Sequence, residues 1–294
     1  MTFKMIVTDM DGTLLRSDRT ISSRTEQALI QAQKQGVRLV LASGRNHKTL
    51  SGFGEQLNMP LYDGYYIGVN GAMITNASTM ETQVVQQLQL HEIEEIYAFA
   101  QSYQVEIMAV ADTMLYDYIP ESLMEIKSEI RRQNQIAEDV PWTAGAFDLI
   151  ADQRKNNYVI HYVQDGKGVL EPVNKICITH YPENLVDFYK QATTSLGHKY
   201  NFARTTPQWI EINPIRVSKG NTLSLLAERL QIAKEEILVF GDGENDLSML
   251  AQAGYAVAMG NAMSSVKAVA DYITEDNDHD GVAHMVEKMI LSKK

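Results

Sequence analysis

Apolar positions fall in two different rhythms along this chain. Near the start, Phe3–Thr8 is a short apolar run that stops at Asp9, and Val37–Ala42 is almost continuously apolar. Uninterrupted runs of this length are expected of strands buried on both faces of a parallel sheet. Between them, Thr20–Gln35 spaces Ile21, Leu29 and Ala32 within a polar setting, which predicts a helix stopped at Gly36. The same alternation returns late in the chain. Ser224–Leu230, Leu247–Ala253 and Ser264–Ala270 predict helices, and Ile237–Phe240, Tyr255–Met259 and Tyr272–Thr274 predict strands. Strands alternating with helices indicate βαβ units and a doubly wound parallel sheet.

The middle of the chain has another pattern. Leu90, Ile93, Ile96, Tyr97 and Ala100 follow the spacing of an amphipathic helix. Val105–Val110 and Met114–Ile119 flank Ala111-Asp112-Thr113 as a hairpin would. Pro120 and Pro182 are placed to open helices reaching about Asn134 and Leu196, with a strand at Ile176–Thr179 between them. The expected organisation is an α/β core from residues 1–84 and 206–294, interrupted by an α+β insertion over 85–205.

Charge and composition narrow the partners. The 294 residues carry 26 Lys+Arg against 37 Asp+Glu, a formal charge of −11. The inserted segment, with 10 basic and 17 acidic residues, supplies most of that excess. An acidic chain lacks the concentrated positive charge that nucleic acids and anionic membranes require, so neither is an expected partner. Cys177 is the sole cysteine, which excludes an intramolecular disulfide framework and a multi-cysteine zinc site. Neither a signal-peptide core nor an 18-residue apolar run occurs, and the expected setting is cytoplasmic.

Reactive groups gather where the predicted parallel strands stop, the place where open α/β sheets form their binding crevice. The first strand ends in Asp9-Met10-Asp11-Gly12-Thr13 and the second in Ser43-Gly44-Arg45. A later one ends in Gly241-Asp242-Gly243-Glu244-Asn245-Asp246, and Lys219-Gly220 precedes it. Clustered carboxylates hold a hard cation such as Mg²⁺ through oxygen. A lysine, a serine hydroxyl and backbone amides suit a phosphoryl group. One carboxylate can act as nucleophile while another works as general acid and base.

In order and spacing these segments resemble the four motifs of the haloacid dehalogenase-like phosphatases. The long insertion, together with Asn70-Gly71-Ala72, Ile210-Glu211-Ile212, Val217-Ser218-Lys219-Gly220 and Asp280-Gly281-Val282-Ala283, resembles their class IIB, Cof-type branch of sugar-phosphate phosphatases. The resemblance implies Asp9 as nucleophile and metal ligand, and Asp11 as general acid and base with its backbone carbonyl on Mg²⁺. It implies the Met10 and Gly44 N–H groups, Ser43 and Asn245 as phosphate holders, Lys219 as charge balance, and Asp242 and Asp246 at the metal. The resemblance also implies that the 85–205 insertion is a cap over the core sheet's C-terminal edge and that the substrate is a small phosphorylated metabolite. Where that branch often has Gly before Val217, this chain has Arg216, so the turn into the lysine segment is expected to differ.

Taken singly, each motif has a plainer explanation. Asp-x-Asp can be a solvated turn, Ser43 a helix N-cap and Lys219 a surface lysine. The Gly241–Asp246 segment lacks the terminal Glu of a calcium loop. The seven histidines show no metal-ligand spacing, and neither a P-loop nor a dinucleotide fingerprint is present. A phosphomutase of the same branch shares every motif, and a catalytically silent binding protein on the same fold is the remaining alternative.

Overall fold

The computed structural model describes residues 2–146, 148–151 and 158–292. Strand β1 (Met5–Asp9) is buried at every position, as its apolar run requires. Helix α1 (Ser23–Lys34) starts where the Ser22 hydroxyl accepts the Thr25 N–H, and it buries Ala28, Leu29 and Ala32. Gly36, at φ +89°, turns the chain into β2 (Arg38–Ala42). Helix α2 (His47–Gln56) follows, and then β3 (Tyr65–Gly68), β4 (Met73–Asn76) and β5 (Thr82–Val84).

The inserted segment contributes α3 (Leu90–Gln101), β6 (Glu106–Val110), β7 (Met114–Tyr118) and α4 (Glu121–Gln133). It continues with β8 (Ala144–Gly145), β9 (Asp148–Ala151), β10 (Val159–Tyr162), β11 (Lys175–Thr179), α5 (Pro182–Leu196), β12 (Tyr200–Thr206) and β13 (Trp209–Pro214). The chain then returns through α6 (Lys219–Arg229), β14 (Ile237–Gly241), α7 (Leu247–Leu250), β15 (Tyr255–Ala258), α8 (Ser264–Lys267), β16 (Tyr272–Ile273) and α9 (Gly281–Val286). Among the described residues, no helix is long and apolar enough to cross a membrane.

Two compact units result, one from residues 1–85 and 216–294, the other from 86–215. The return point therefore lies ten residues later than the 205/206 boundary read from the sequence. The cause is pairing: β13 lies antiparallel to both β11 and β12, so Ile210, Glu211 and Ile212 are ladder residues of the second unit. Their neighbours along the sheet, not their own composition, assign them.

The first unit is a doubly wound α/β fold. Its sheet runs β16-β15-β14-β1-β2-β3-β4-β5, parallel from β16 to β3 and antiparallel at β4 and β5. Strand β1 lies between β14 and β2, with Thr8 opposite Phe240 and Asp9 opposite Ala42. Strand order reverses at β1, so the carboxyl ends of β1, β2 and β14 share the topological switch point. Helix α6 begins at Lys219, five residues before its apolar pattern shows, because Ser218 caps it. Helix α7 ends at Leu250, earlier than its pattern, because the chain turns at Gly254 to bond Ile237 O.

The second unit is α+β. Its sheet runs β10-β7-β6-β11-β13-β12. One face, including Ile107, Ala109, Ile176, Ile178, Ile210 and Ile212, packs on Ile93, Tyr97, Leu185 and Phe188 of α3 and α5. The other carries Met108, Leu115, Cys177 and Trp209. Period-two alternation thus sorts each strand between two apolar layers. A polar network is buried with them. The Lys127 ammonium meets Glu106 Oε2 at 2.5 Å and donates to Trp142 O at 2.6 Å. Glu106 Oε1 accepts the Ala144 N–H, and Thr143 Oγ1 donates to Asp117 Oδ2. Burial, reinforced by the Glu106 charge, raises the Asp117 carboxyl well above the carboxylate range.

Lys127→Met would leave Glu106 buried without its cation. The expected loss is about 3–5 kcal/mol, measured from urea unfolding, and adding Glu106→Gln should recover part of it.

Candidate active site

Four segments of the first unit converge at the switch point. After β1 the chain folds back tightly: Leu15 N–H bonds Met10 O at 2.8 Å, and Gly12 takes φ +83°. A Cβ at Gly12 would stand 2.5 Å from Asp242 Oδ2, while the Thr13 hydroxyl donates to Asp242 Oδ1 at 2.7 Å. Gly12 makes room for Asp242 and Thr13 holds it. After β14 the chain wraps around Asp246, whose Oδ2 accepts the N–H groups of Asp242 (3.0 Å) and Gly243 (3.1 Å).

Lys219, the first residue of α6, is 1% exposed. Its ammonium donates to Asp9 Oδ1 at 2.5 Å and to Asp246 Oδ1 at 2.6 Å. The helix can approach this closely because Gly220 has no side chain: a Cβ there would stand 2.0 Å from Ser248 O. Arg216 does not take a positive φ, so the turn ahead of the lysine needs no glycine.

Asp9, Asp242 and Asp246 bring carboxylate oxygens within 4.8 Å of one another. One ammonium therefore faces three carboxylates. Burial raises Asp9 well above the carboxylate range despite Lys219, and Asp246 and Asp242 push it further. Asp242 is raised to about 6, first by burial and then by Asp246, against the Thr13 hydrogen bond. Lys219 is raised too: burial alone would lower it, but Asp246 and Asp9 override that.

The remaining predicted residues surround this cluster differently. Asp11 does not join it. Its carboxylate is solvent-exposed and paired with Arg45, whose Nε donates to Oδ2 at 2.9 Å and whose Nη2 donates to Oδ1. Ser43 is buried, and its hydroxyl accepts the Arg45 N–H at 3.2 Å. Gly44 lies against the Asn70 side chain, and Met10 is fully buried. Asn245 lies half-buried in the turn after β14. Two contributors were not assigned from sequence: Thr13, although it lies inside the first motif, and the Asp11–Arg45 pair, which joins the ends of two strands.

A family model described as haloacid dehalogenase-like hydrolase matches residues 6–286. The chain belongs to that family. The Bacillus subtilis (strain 168) protein YxeH is 30% identical over 291 residues, covering 99% of this chain and 100% of its own. Phosphatase YwpJ of the same organism is 28% identical over 298 residues, covering 98% of this chain and 100% of its own. A haloacid dehalogenase-like hydrolase from Bacteroides thetaiotaomicron superimposes with TM-score 0.75 at 31% identity, covering 98% of this chain and 100% of the other. The subclass IIB sugar phosphatase BT4131 does so with TM-score 0.73 at 25% identity, covering 97% and 98%. With phosphatases among its relatives and its structural neighbours, the chain is a phosphatase of this family.

The donor set fits a divalent metal. All three side chains offer hard carboxylate oxygens, and the cluster's negative charge exceeds what Lys219 supplies. The oxygens differ in availability. Both Asp246 oxygens are already engaged, whereas Asp9 Oδ2 and Asp242 Oδ2 receive no hydrogen bond from the described residues.

A pH dependence follows for the metal-free protein. Because Asp242 is raised from 3.8 to about 6 in the folded state, its stabilisation is full below its unfolded value and lost as pH rises through about 6. In EDTA, wild type should therefore lose up to about 3 kcal/mol relative to Asp242→Asn between pH 4 and 7. Urea titrations of both proteins across that range test the sign.

Proposed function

We propose that this chain hydrolyses small phosphomonoesters through an aspartyl-phosphate on Asp9, with Mg²⁺ as its cofactor. The observation that carries the reading is the buried Asp9 carboxylate, held at the end of β1 by Lys219 with its second oxygen free of hydrogen bonds from the described residues. A carboxylate fixed on one side and open on the other is disposed to attack along one direction.

In the first step Asp9 Oδ2 forms a bond to phosphorus as the bond to the leaving oxygen breaks, and Asp11 gives that oxygen its proton. In the second, a water attacks phosphorus, Asp11 takes the water's proton, and the bond from Asp9 to phosphorus breaks to release inorganic phosphate. Arg45 holds both Asp11 oxygens in this structure, a pairing that has to open at one oxygen before Asp11 can carry a proton to the leaving group. Ser43 and the Met10 and Gly44 N–H groups, with Asn245, would hold the phosphate oxygens. Lys219 keeps one Asp9 oxygen paired throughout and offsets charge during transfer.

Mg²⁺ would be held by Asp9 and Asp242 and by the Asp11 backbone carbonyl, with Asp246 in support. When bound, it would supply positive charge that keeps Asp9 ionised and steadies the phosphoryl oxygens. The substrate class follows the relatives: BT4131 is named as a sugar phosphatase, and YcsE of Bacillus subtilis (strain 168), 26% identical over 291 residues, as a 5-amino-6-(5-phospho-D-ribitylamino)uracil phosphatase. The lone buried cysteine suits a reducing, cytoplasmic setting.

Phosphate release should be measured over a panel of sugar phosphates and other small monoesters. Turnover is expected with Mg²⁺ and not with EDTA. Asp9→Asn should lower it by roughly 10³-fold or more, the scale on which losing a covalent nucleophile acts. Asp11→Asn should lower it by roughly 10²–10⁴-fold, as for lost general acid–base catalysis. Full activity in folded Asp9→Asn would overturn the mechanism.

A further inference from the structure

The segment between β3 and β4 is built in a way that packing alone does not explain. Val69, Asn70 and Gly71 take φ values of +51°, +54° and +105° in succession. A β-branched residue in the left-handed region is a true outlier, since its Cβ crowds the backbone. Strain of this kind persists only where the surroundings over-determine it, and it gathers at functional sites.

The contacts show what the strain accomplishes. On one side, Val69 N–H donates to Arg45 O and Asn70 N–H to Ser43 O, each at 2.9 Å. Those carbonyls belong to the turn that presents Ser43 and Gly44. On the other side, Gly71 O accepts the buried Thr222 hydroxyl at 2.6 Å, one turn along α6 from Lys219. A Cβ at Gly71 would stand 2.4 Å from Ser218 O, the residue that caps α6. Val69 also packs with Ala72, Met73 and Val217, two residues before the lysine. A short left-handed run thus sends its N–H groups to one phosphate-holding segment and its carbonyl to the helix that carries the ammonium.

We propose that Val69–Gly71 is a strained brace that fixes the Ser43–Gly44 turn and Lys219 at one spacing, with Thr222 as the positioning residue that closes it. The proposal rests on the phosphatase reading for its consequence in catalysis, but not for its mechanics. A phosphate group held from both sides tolerates little misplacement, and a brace in a single strained conformation does not slide as an extended linker would.

The test uses the full chain with Thr222→Val and Thr222→Ser. Valine keeps the side-chain volume and loses the hydroxyl; serine keeps the hydroxyl and loses the methyl. With p-nitrophenyl phosphate and Mg²⁺, Thr222→Val should lower kcat about ten-fold or more, whereas Thr222→Ser stays within about three-fold, whichever variant melts lower. Hydrogen exchange supplies a readout that needs no activity. Thr222→Val should raise exchange in peptides spanning 41–47 and 216–222 alike, and Thr222→Ser in neither.

If kcat in both variants simply tracks their melting temperatures, Thr222 is structural and the proposal is wrong. It is equally wrong if exchange in Thr222→Val rises only within 216–222. Should the wild type release no phosphate from any monoester, the phosphatase reading fails, and exchange alone then decides the brace.

Discussion

The Lys219 ammonium, enclosed between Asp9 and Asp246, is the interaction on which the site is built. A buried ammonium without partners would shed its proton, and buried carboxylates without a cation would keep theirs. Asp9 and Asp246 hold the ammonium charged against burial, and the ammonium in turn lowers the cost of ionising Asp9, although burial still raises that carboxyl well above the carboxylate range. The arrangement requires β1 to bring Asp9 beside the loop after β14, and α6 to point its first residue at both. Losing α6 would leave buried carboxylates without a cation, and losing either acidic segment would take one partner from the ammonium, so the fold of the first unit and the electrostatics of the site are a single problem.

That balance is deliberately incomplete. Three carboxylates face one ammonium, and the cluster oxygens that receive no hydrogen bond from the described residues lie on Asp9 and Asp242. The second unit offers a useful contrast, because it also buries an ammonium beside acidic groups. There Lys127 meets Glu106 and Trp142 O, while burial drives Asp117 toward its protonated form. Little negative charge remains to attract anything from outside. A network closed on itself fixes structure, whereas one left with excess charge and available oxygens is able to take up a cation.

Backbone conformation supplies the remaining precision. Gly12 makes room for Asp242, Gly220 lets α6 reach α7, and the left-handed run at Val69–Gly71 lies between two of the converging segments. Each is a place where a side chain or an ordinary φ would move a functional group by ångströms. The sequence marks these glycines as parts of motifs, but what each accomplishes lies in what stands opposite it.

The chain's own residues determined a good deal. Continuous apolar runs at β1, β2 and β14 announced buried parallel strands, because local patterning carries the hydrophobic demand of each element, and acids and a serine at strand ends, with a lysine that opens α6, marked the candidate site. Three kinds of information were set by tertiary structure alone. Ile210-Glu211-Ile212 stands out in the sequence only as a segment resembling the family branch, and pairing with β11 and β12 makes it a strand of the second unit and moves the boundary to 216. Asp11 and Asp9 stand two apart in sequence, a spacing that would share one face of a continuing strand, yet one is exposed on Arg45 and the other buried on Lys219, because β1 ends at Asp9 and the chain folds back tightly through Gly12. Thr13 and Thr222 act through partners 229 and 151 residues away, Asp242 and Gly71. Residue type and spacing record which groups are available and roughly where each element ends; which of them meet is settled by strand order and helix approach, and that depends on every other part of the unit at once.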